Sequence, residues 1–161
     1  MNDSTPRKAR TPRELWPGHH GHEALSVDLI EQLCDRLRVP NECRELAVLV
    51  AEFHGVVHKV FELRPATVLK LLERTDALRR GNRFEWFLLA CEADARGRKG
   101  FEDRPYPQAD FLRRARAAIK PITPGPEETK TLQGAQIGER LRRRRLKAIE
   151  QLVALTQTRK R

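Results

Sequence analysis

The sequence is poor in sulfur and in rings. Its 161 residues hold three cysteines, one methionine, one tyrosine and two tryptophans, and aromatic residues make up 6%. Cys34, Cys43 and Cys91 are odd in number, widely spaced and without a Cys-x-x-Cys pair, which excludes a disulfide framework and a zinc finger. They read as buried, reduced packing residues. No apolar run approaches the roughly 18 to 20 residues that cross a bilayer, and the N-terminal stretch MNDSTPRKARTPRELWP lacks the apolar centre of a signal peptide. The expectation is a cytoplasmic chain with no membrane partner. Dinucleotide fingerprints and nucleophile elbows are missing as well. Gly97-Arg98-Lys99-Gly100 is too short for a GxxxxGK[ST] phosphate loop, although its charge suits contact with a phosphate.

What the chain does have is charge, at 34% of residues against 39% apolar. The length is enough to bury a core without staples. The 32 basic and 22 acidic residues leave a net charge of +10, and the excess is localised. Residues 1–111 contain 18 Lys/Arg and 18 Asp/Glu, whereas residues 112–161 contain 14 and 4. A neutral body with a basic end points to a phosphate backbone as partner.

Helical periods run through the body, and no alternating strand pattern competes with them. Leu25, Leu29, Ile30, Leu33, Cys34 and Leu37 predict a helix over 23–37, stopped by Val39-Pro40-Asn41. Cys43, Leu46, Ala47, Val50, Phe53, His54 and Val57 predict a second helix to about Lys59, the most apolar and the central one. Pro65 opens a third, with Val68, Leu69, Leu71, Leu72 and Leu78 inward, interrupted at Gly81-Asn82. A fourth runs over 82–95 and a fifth over 108–120. Pro121, Pro124, Gly125 and Pro126 form a stiff connection, and a long basic helix covers 135–155. The fold class is all-α. The expected organisation is a disordered leader over 1–13, a first helical segment over 14–62, a helical body over 63–120, and a Pro-rich linker with the basic helix over 121–161.

Three constellations could carry chemistry. His54 and His58 stand four apart, a spacing at which one helix face can chelate a metal; the plainer reading is one core-facing and one solvated histidine. His19, His20 and His22 precede the first helix, where imidazoles and helix N-terminal amides can face an anion; a polar capping turn explains them equally well. Arg142 to Arg145 with Lys147 put five positive charges into six residues. Four consecutive helical positions fan through about 300°, so one or two of these arginines must turn toward acids on the body while the others remain for RNA or DNA. Arg113, Arg114 and Arg116 add to the same field.

Four blocks, TPRELWPGHHGHE (Thr11 to Glu23), EQLCDRLRVPNECRELAVLVAEFH (Glu31 to His54), EADARGRKGFEDRPYPQADFL (Glu92 to Leu112) and LQGAQIGERLRRRRLKAI (Leu132 to Ile149), closely resemble, in order, the C-terminal part of bacterial CCA-adding enzymes. These are tRNA nucleotidyltransferases of the multifunctional type, in which an HD phosphohydrolase domain follows the polymerising head. The resemblance implies that residues 14–62 are a partial HD segment. It also implies tRNA as partner, held by Arg96, Arg98, Lys99, Arg113, Arg142, Arg143 and Lys147. It matches His22, with His20 beside it, to a histidine of the family's metal site.

The family's Gly-Ser motif and paired aspartates, which hold the metal ions for nucleotide addition, have no counterpart here. The HD His-Asp dyad is replaced by MNDSTPRKAR, and His54-Gly55 stands where a later His-Asp is usual. The resemblance therefore implies no nucleotide addition by this chain alone and only weak binding of a divalent metal, magnesium or nickel. A separately encoded head is the partner that would restore the activity. Two alternatives stay open: residual phosphohydrolase action on 2′,3′-cyclic or 2′-phosphates, and a truncated, vestigial piece without independent activity.

Overall fold

The computed structural model describes residues 22–97 and 99–158, with side chains from Ser26 to Thr156. The expected leader over 1–13, His20 and Arg98 lie outside these, as does the side chain of His22. Among the described residues there are seven α-helices, one 3-10 turn and no strand, so the fold is all-α as its periods predict. The helices are α1 (His22–Leu37), α2 (Asn41–His58), α3 (Pro65–Arg74), α4 (Gly81–Arg96), α5 (Pro107–Ile119), α6 (Pro126–Thr131) and α7 (Gly134–Thr158), with the 3-10 turn at Val60–Glu62. Two compact units divide at Glu52 and Phe53, within α2.

In the first unit α1 ends where Arg38 takes a positive φ of 52° and the Val39 amide bonds the Cys34 carbonyl at 2.9 Å, before Pro40 forbids continuation. An Arg44–Asp35 ion pair crosses the turn. The buried line of α1 is Ser26 and Cys34, while Leu29, Leu33 and Leu37 are exposed. Of the expected stripe, Cys34 is buried and Ile30 half-buried among the described side chains.

The second unit holds most of the core. Its fully buried side chains include Phe84, Phe87 and Leu88 of α4, Phe111 and Leu112 of α5, Leu69 and Leu72 of α3, and Ile149 of α7. α7 packs on α3 and α5, and α4 packs on α5. α2 is therefore not the central helix. It places only Ala51 and Val57 in the core, because its apolar residues are divided between two units.

Two boundaries differ from their periods. α3 stops at Arg74 instead of running to Leu78, because the Thr75 hydroxyl donates to the Leu71 carbonyl at 2.8 Å and Asp76 adopts a positive φ of 51°. The turn carbonyls released there are bonded by Arg83, to Thr75 O at 3.2 Å, and by Arg116 Nε, to Ala77 O at 2.7 Å. Where a bare linker was expected, Pro126 begins the short α6, and the Glu128 carboxylate accepts the Gly125 amide at 2.9 Å. Pro at the first helical position followed by acidic residues is a helix-start signal that the Pro-rich context obscured.

Cys34 and Cys91 are buried, but Cys43 is exposed, standing in the first turn of α2 before the covered part of its stripe. Burial, and then the nearby Asp94 carboxylate, push the Cys91 thiol up to about 12. A thiol-exchange reagent should therefore react at once with one cysteine of the folded chain and with all three after denaturation. Because the folded pKa is raised, stability is fully present below the ordinary thiol range. It is lost as pH rises toward about 12, since the unfolded chain ionises first. Cys91→Ala should flatten that alkaline decline in a pH series of thermal melts.

Candidate nucleic-acid interface

α7 is held by its buried side. Ile149 is fully enclosed, and Leu141, Leu146, Leu152 and Val153 are half-buried around it. The four consecutive arginines consequently leave the helix in four directions. Arg142 reaches Glu73 at the end of α3, 3.2 Å away, and Arg144 reaches Glu128 of α6 at 3.1 Å. Arg145 lies partly inside and donates to the Ile122 carbonyl at 3.2 Å. Three arginines thus turn to the protein where one or two were expected, the third because a carbonyl in the α5–α6 connection serves as acceptor.

Arg143 has no carboxylate partner among the described residues, nor does Lys147 one helical turn further along the same face. Arg140 precedes them on that face and is only 4.0 Å from Glu128. Arg140 and Arg143 line a shallow cavity of about 280 Å³ with Leu132, Gln136 and Glu139. Glu128 is the hub of this corner. The Gly125 amide, followed by Arg144 and Arg140, holds its carboxyl below the usual range, so it stays ionised and competes for those guanidiniums at any pH near neutral.

The other named cations sit elsewhere. Arg96, at the end of α4, pairs with Glu92 at 2.9 Å and donates to the Arg104 carbonyl at 3.3 Å. Lys99 is exposed in the following loop. Arg113 on α5 is clasped by Glu85 at 2.8 Å and Asp110 at 2.9 Å, and these partners, Glu85 first, hold its proton more firmly. Such half-exposed pairs contribute little to stability, so a phosphate can replace a carboxylate in them. The structure places Arg143 and Lys147 on one face of α7, with Arg140 as a neighbour not singled out by sequence, turns Arg142 toward Glu73, and leaves Arg96, Lys99 and Arg113 on separate elements.

His58 has a different fate from the metal pair that its spacing with His54 suggests. Its Nε2 lies 3.0 Å from Asp94 Oδ2 and its Nδ1 2.8 Å from the Tyr106 hydroxyl. A carboxylate only accepts, so Nε2–H donates to Asp94, and Nδ1 is left hydrogen-bonded to the Tyr106 hydroxyl. Burial, then the neighbouring Cys91, Asp94 and Glu92, push the Tyr106 phenol well above its ordinary range, so it keeps its proton. Both ring nitrogens of His58 are thus engaged, and the His54 ring packs edge-on at 5.8 Å. Among the described residues no group of three or more His, Cys, Asp or Glu is placed to hold a metal. His20 and His22, to which the resemblance assigns the divalent ion, lie outside the described side chains.

Comparison with known proteins gives close relatives. The chain is 58% identical over 147 residues to the Multifunctional CCA protein of Thioalkalivibrio sulfidiphilus, covering 91% of this chain and 36% of that protein. It is 54% identical over 146 residues to the protein of the same name from Nitrosococcus oceani, with the same coverage. Against that of Alkalilimnicola ehrlichii it is 52% identical over 145 residues, 90% of this chain and 35% of the relative. The chain thus spans about a third of the length of the relatives it matches. No family model and no solved structure matches it. No described helix is long and apolar enough to cross a membrane.

Proposed function

The chain is a relative of the bacterial multifunctional CCA proteins, similar to their C-terminal part, and from that premise we propose that its own task is to hold tRNA in the cytoplasm. On this reading, addition of the 3′ nucleotides falls to a nucleotidyltransferase head and not to the helices described above. The observation that carries this reading is the outer face of α7, where Arg143 and Lys147 stand four residues apart without carboxylate partners among the described residues.

Two cations one helical turn apart are separated by about 6 Å along the axis, and they project from a helix fixed to the body by Ile149. That is a rigid basic edge. Folded RNA is held through shape, phosphates and 2′-hydroxyls more than by reading bases, and such an edge supplies the phosphate part. Arg140, Arg142 and Arg144 form a reserve: their surface pairs with Glu73 and Glu128 keep them extended, and an RNA phosphate exchanges for the carboxylate.

A divalent metal, if bound, would depend on residues such as His20 and His22, and no step of this reading passes through it. Photochemical cross-linking of tRNA to the full chain, read by peptide mass spectrometry, tests the proposal. Adducts should concentrate on residues 140–147, and their absence from α7 would overturn it.

A further inference from the structure

A second cavity, of about 480 Å³, lies between the end of α2 and the loop joining α4 to α5, lined by His58, Phe61, Arg96, Phe101, Arg104 and Gln108 among others. We propose that it takes a single unpaired nucleotide, with the base stacked on the Phe101–Arg104 pair and the phosphate drawn to the Arg104 guanidinium. The inference rests on the RNA reading above only for the source of that nucleotide.

The loop is built to present those two residues. Gly100 has a φ of 86°, a conformation that a side chain would strain, and it turns the chain into Phe101. The Arg104 amide then closes a turn on the Phe101 carbonyl at 3.1 Å, and the Arg104 guanidinium lies 4.8 Å from the Phe101 ring centroid. Arg96 Nε fastens the far side through the Arg104 carbonyl. The back wall is equally fixed. Tyr106 is tied to His58, His58 to Asp94, and Gln108 Nε2 donates to the His58 carbonyl at 3.3 Å.

Two features point to a ligand, and to its class. Phe101 is a large apolar ring left 38% exposed, and it carries an arginine that has no carboxylate partner among the described residues. An aromatic ring under a planar guanidinium is a stacking platform for a base, and the uncompensated charge asks for an anion. Gln108 Oε1, buried at the wall, has no donor from the protein. The volume falls within the range of about 300–1,000 Å³ typical of small-ligand sites, enough for one nucleotide and too little for a duplex.

Tyr106 is the only tyrosine in the chain, so carbon-13-labelled tyrosine gives one set of ring signals that reports on this cavity alone. Titration of the full chain with adenosine 5′-monophosphate should shift those signals saturably, with half-saturation at about 1 mM or below. Phe101→Ala and Arg104→Ala should each raise that concentration about 10-fold or more while leaving the melting temperature within a few degrees. No shift up to about 10 mM, an equal shift with inorganic phosphate alone, or unchanged binding in both variants would overturn the proposal.

A single-stranded RNA dodecamer in a parallel titration separates the sources. Tighter binding than the mononucleotide assigns the site to RNA, and equal or weaker binding assigns it to a free nucleotide. Arg143→Ala with Lys147→Ala should weaken tRNA binding and leave the tyrosine shift intact, so failure of the α7 reading and failure of this one give different results.

Discussion

Raising monovalent salt from 50 to 200 mM should weaken tRNA binding by about 60- to 250-fold, because log K should fall against log salt with a slope of roughly −3 to −4. The slope follows from three to five cations that each displace a counterion at about 0.9 per contact. Arg143 and Lys147 supply two of them, neither in an ion pair with a described carboxylate, and Lys99 is a third exposed cation. Arg142 and Arg144 join only after exchanging Glu73 and Glu128 for phosphate. Removing Arg143 and Lys147 together should make the slope shallower by about 2. Fluorescence anisotropy with labelled tRNA at four or five salt concentrations measures both quantities. A flat salt dependence would mean that the basic end of the chain does not meet the phosphate backbone.

Ile149→Ala should destabilise the folded chain by about 2–5 kcal/mol, the largest single effect expected on α7. Ile149 is fully buried where α7 packs against α3 and α5, so its truncation removes apolar contact and leaves a cavity that the neighbouring helices only partly close. The same helix offers an internal control. Lys147 is two residues away and exposed, and Lys147→Ala should change stability by no more than about 0.5 kcal/mol. Urea denaturation followed by circular dichroism separates the two. Similar losses for both, or a negligible loss for Ile149→Ala, would show that α7 is not fastened to the body by its buried side.

Much of the fold is legible because helices write their period into the sequence. α1, α2, α4, α5 and α7 begin and end within about three residues of what spacing, proline and glycine predict. The exceptions have local causes that spacing does not record. Thr75 and Asp76 end α3 with a side-chain hydrogen bond and a left-handed residue, although the apolar pattern continues to Leu78. Glu128 caps a turn of helix in a segment that its prolines mark as a linker. Leu29, Leu33 and Leu37 are exposed although they belong to the apolar stripe, because periodicity marks a stripe without stating what covers it.

The interface is legible in part. Helical geometry alone requires Arg142 to Arg145 to diverge, and it identifies Arg143 and Lys147 as sharing a face. It cannot say which of the four finds a partner, since Glu73 is 69 residues from Arg142, and Arg145 meets a backbone carbonyl. The same holds for His58, which binds Asp94 and Tyr106 across separations of 36 and 48 residues. Its spacing from His54 suggested chelation, but the tertiary fold gives each ring nitrogen a protein partner. Arg104 and Phe101 become a pair only through the turn that Gly100 permits.

The most direct measurement is an equilibrium titration of tRNA at low salt with the intact chain and with the Arg143→Ala, Lys147→Ala double variant, both checked for an unchanged melting temperature. Saturable binding by the intact chain that weakens by about 10-fold or more in the double variant is the predicted result. Absence of binding by the intact chain, or equal affinity for the two, would contradict the assignment of RNA holding to the outer face of α7.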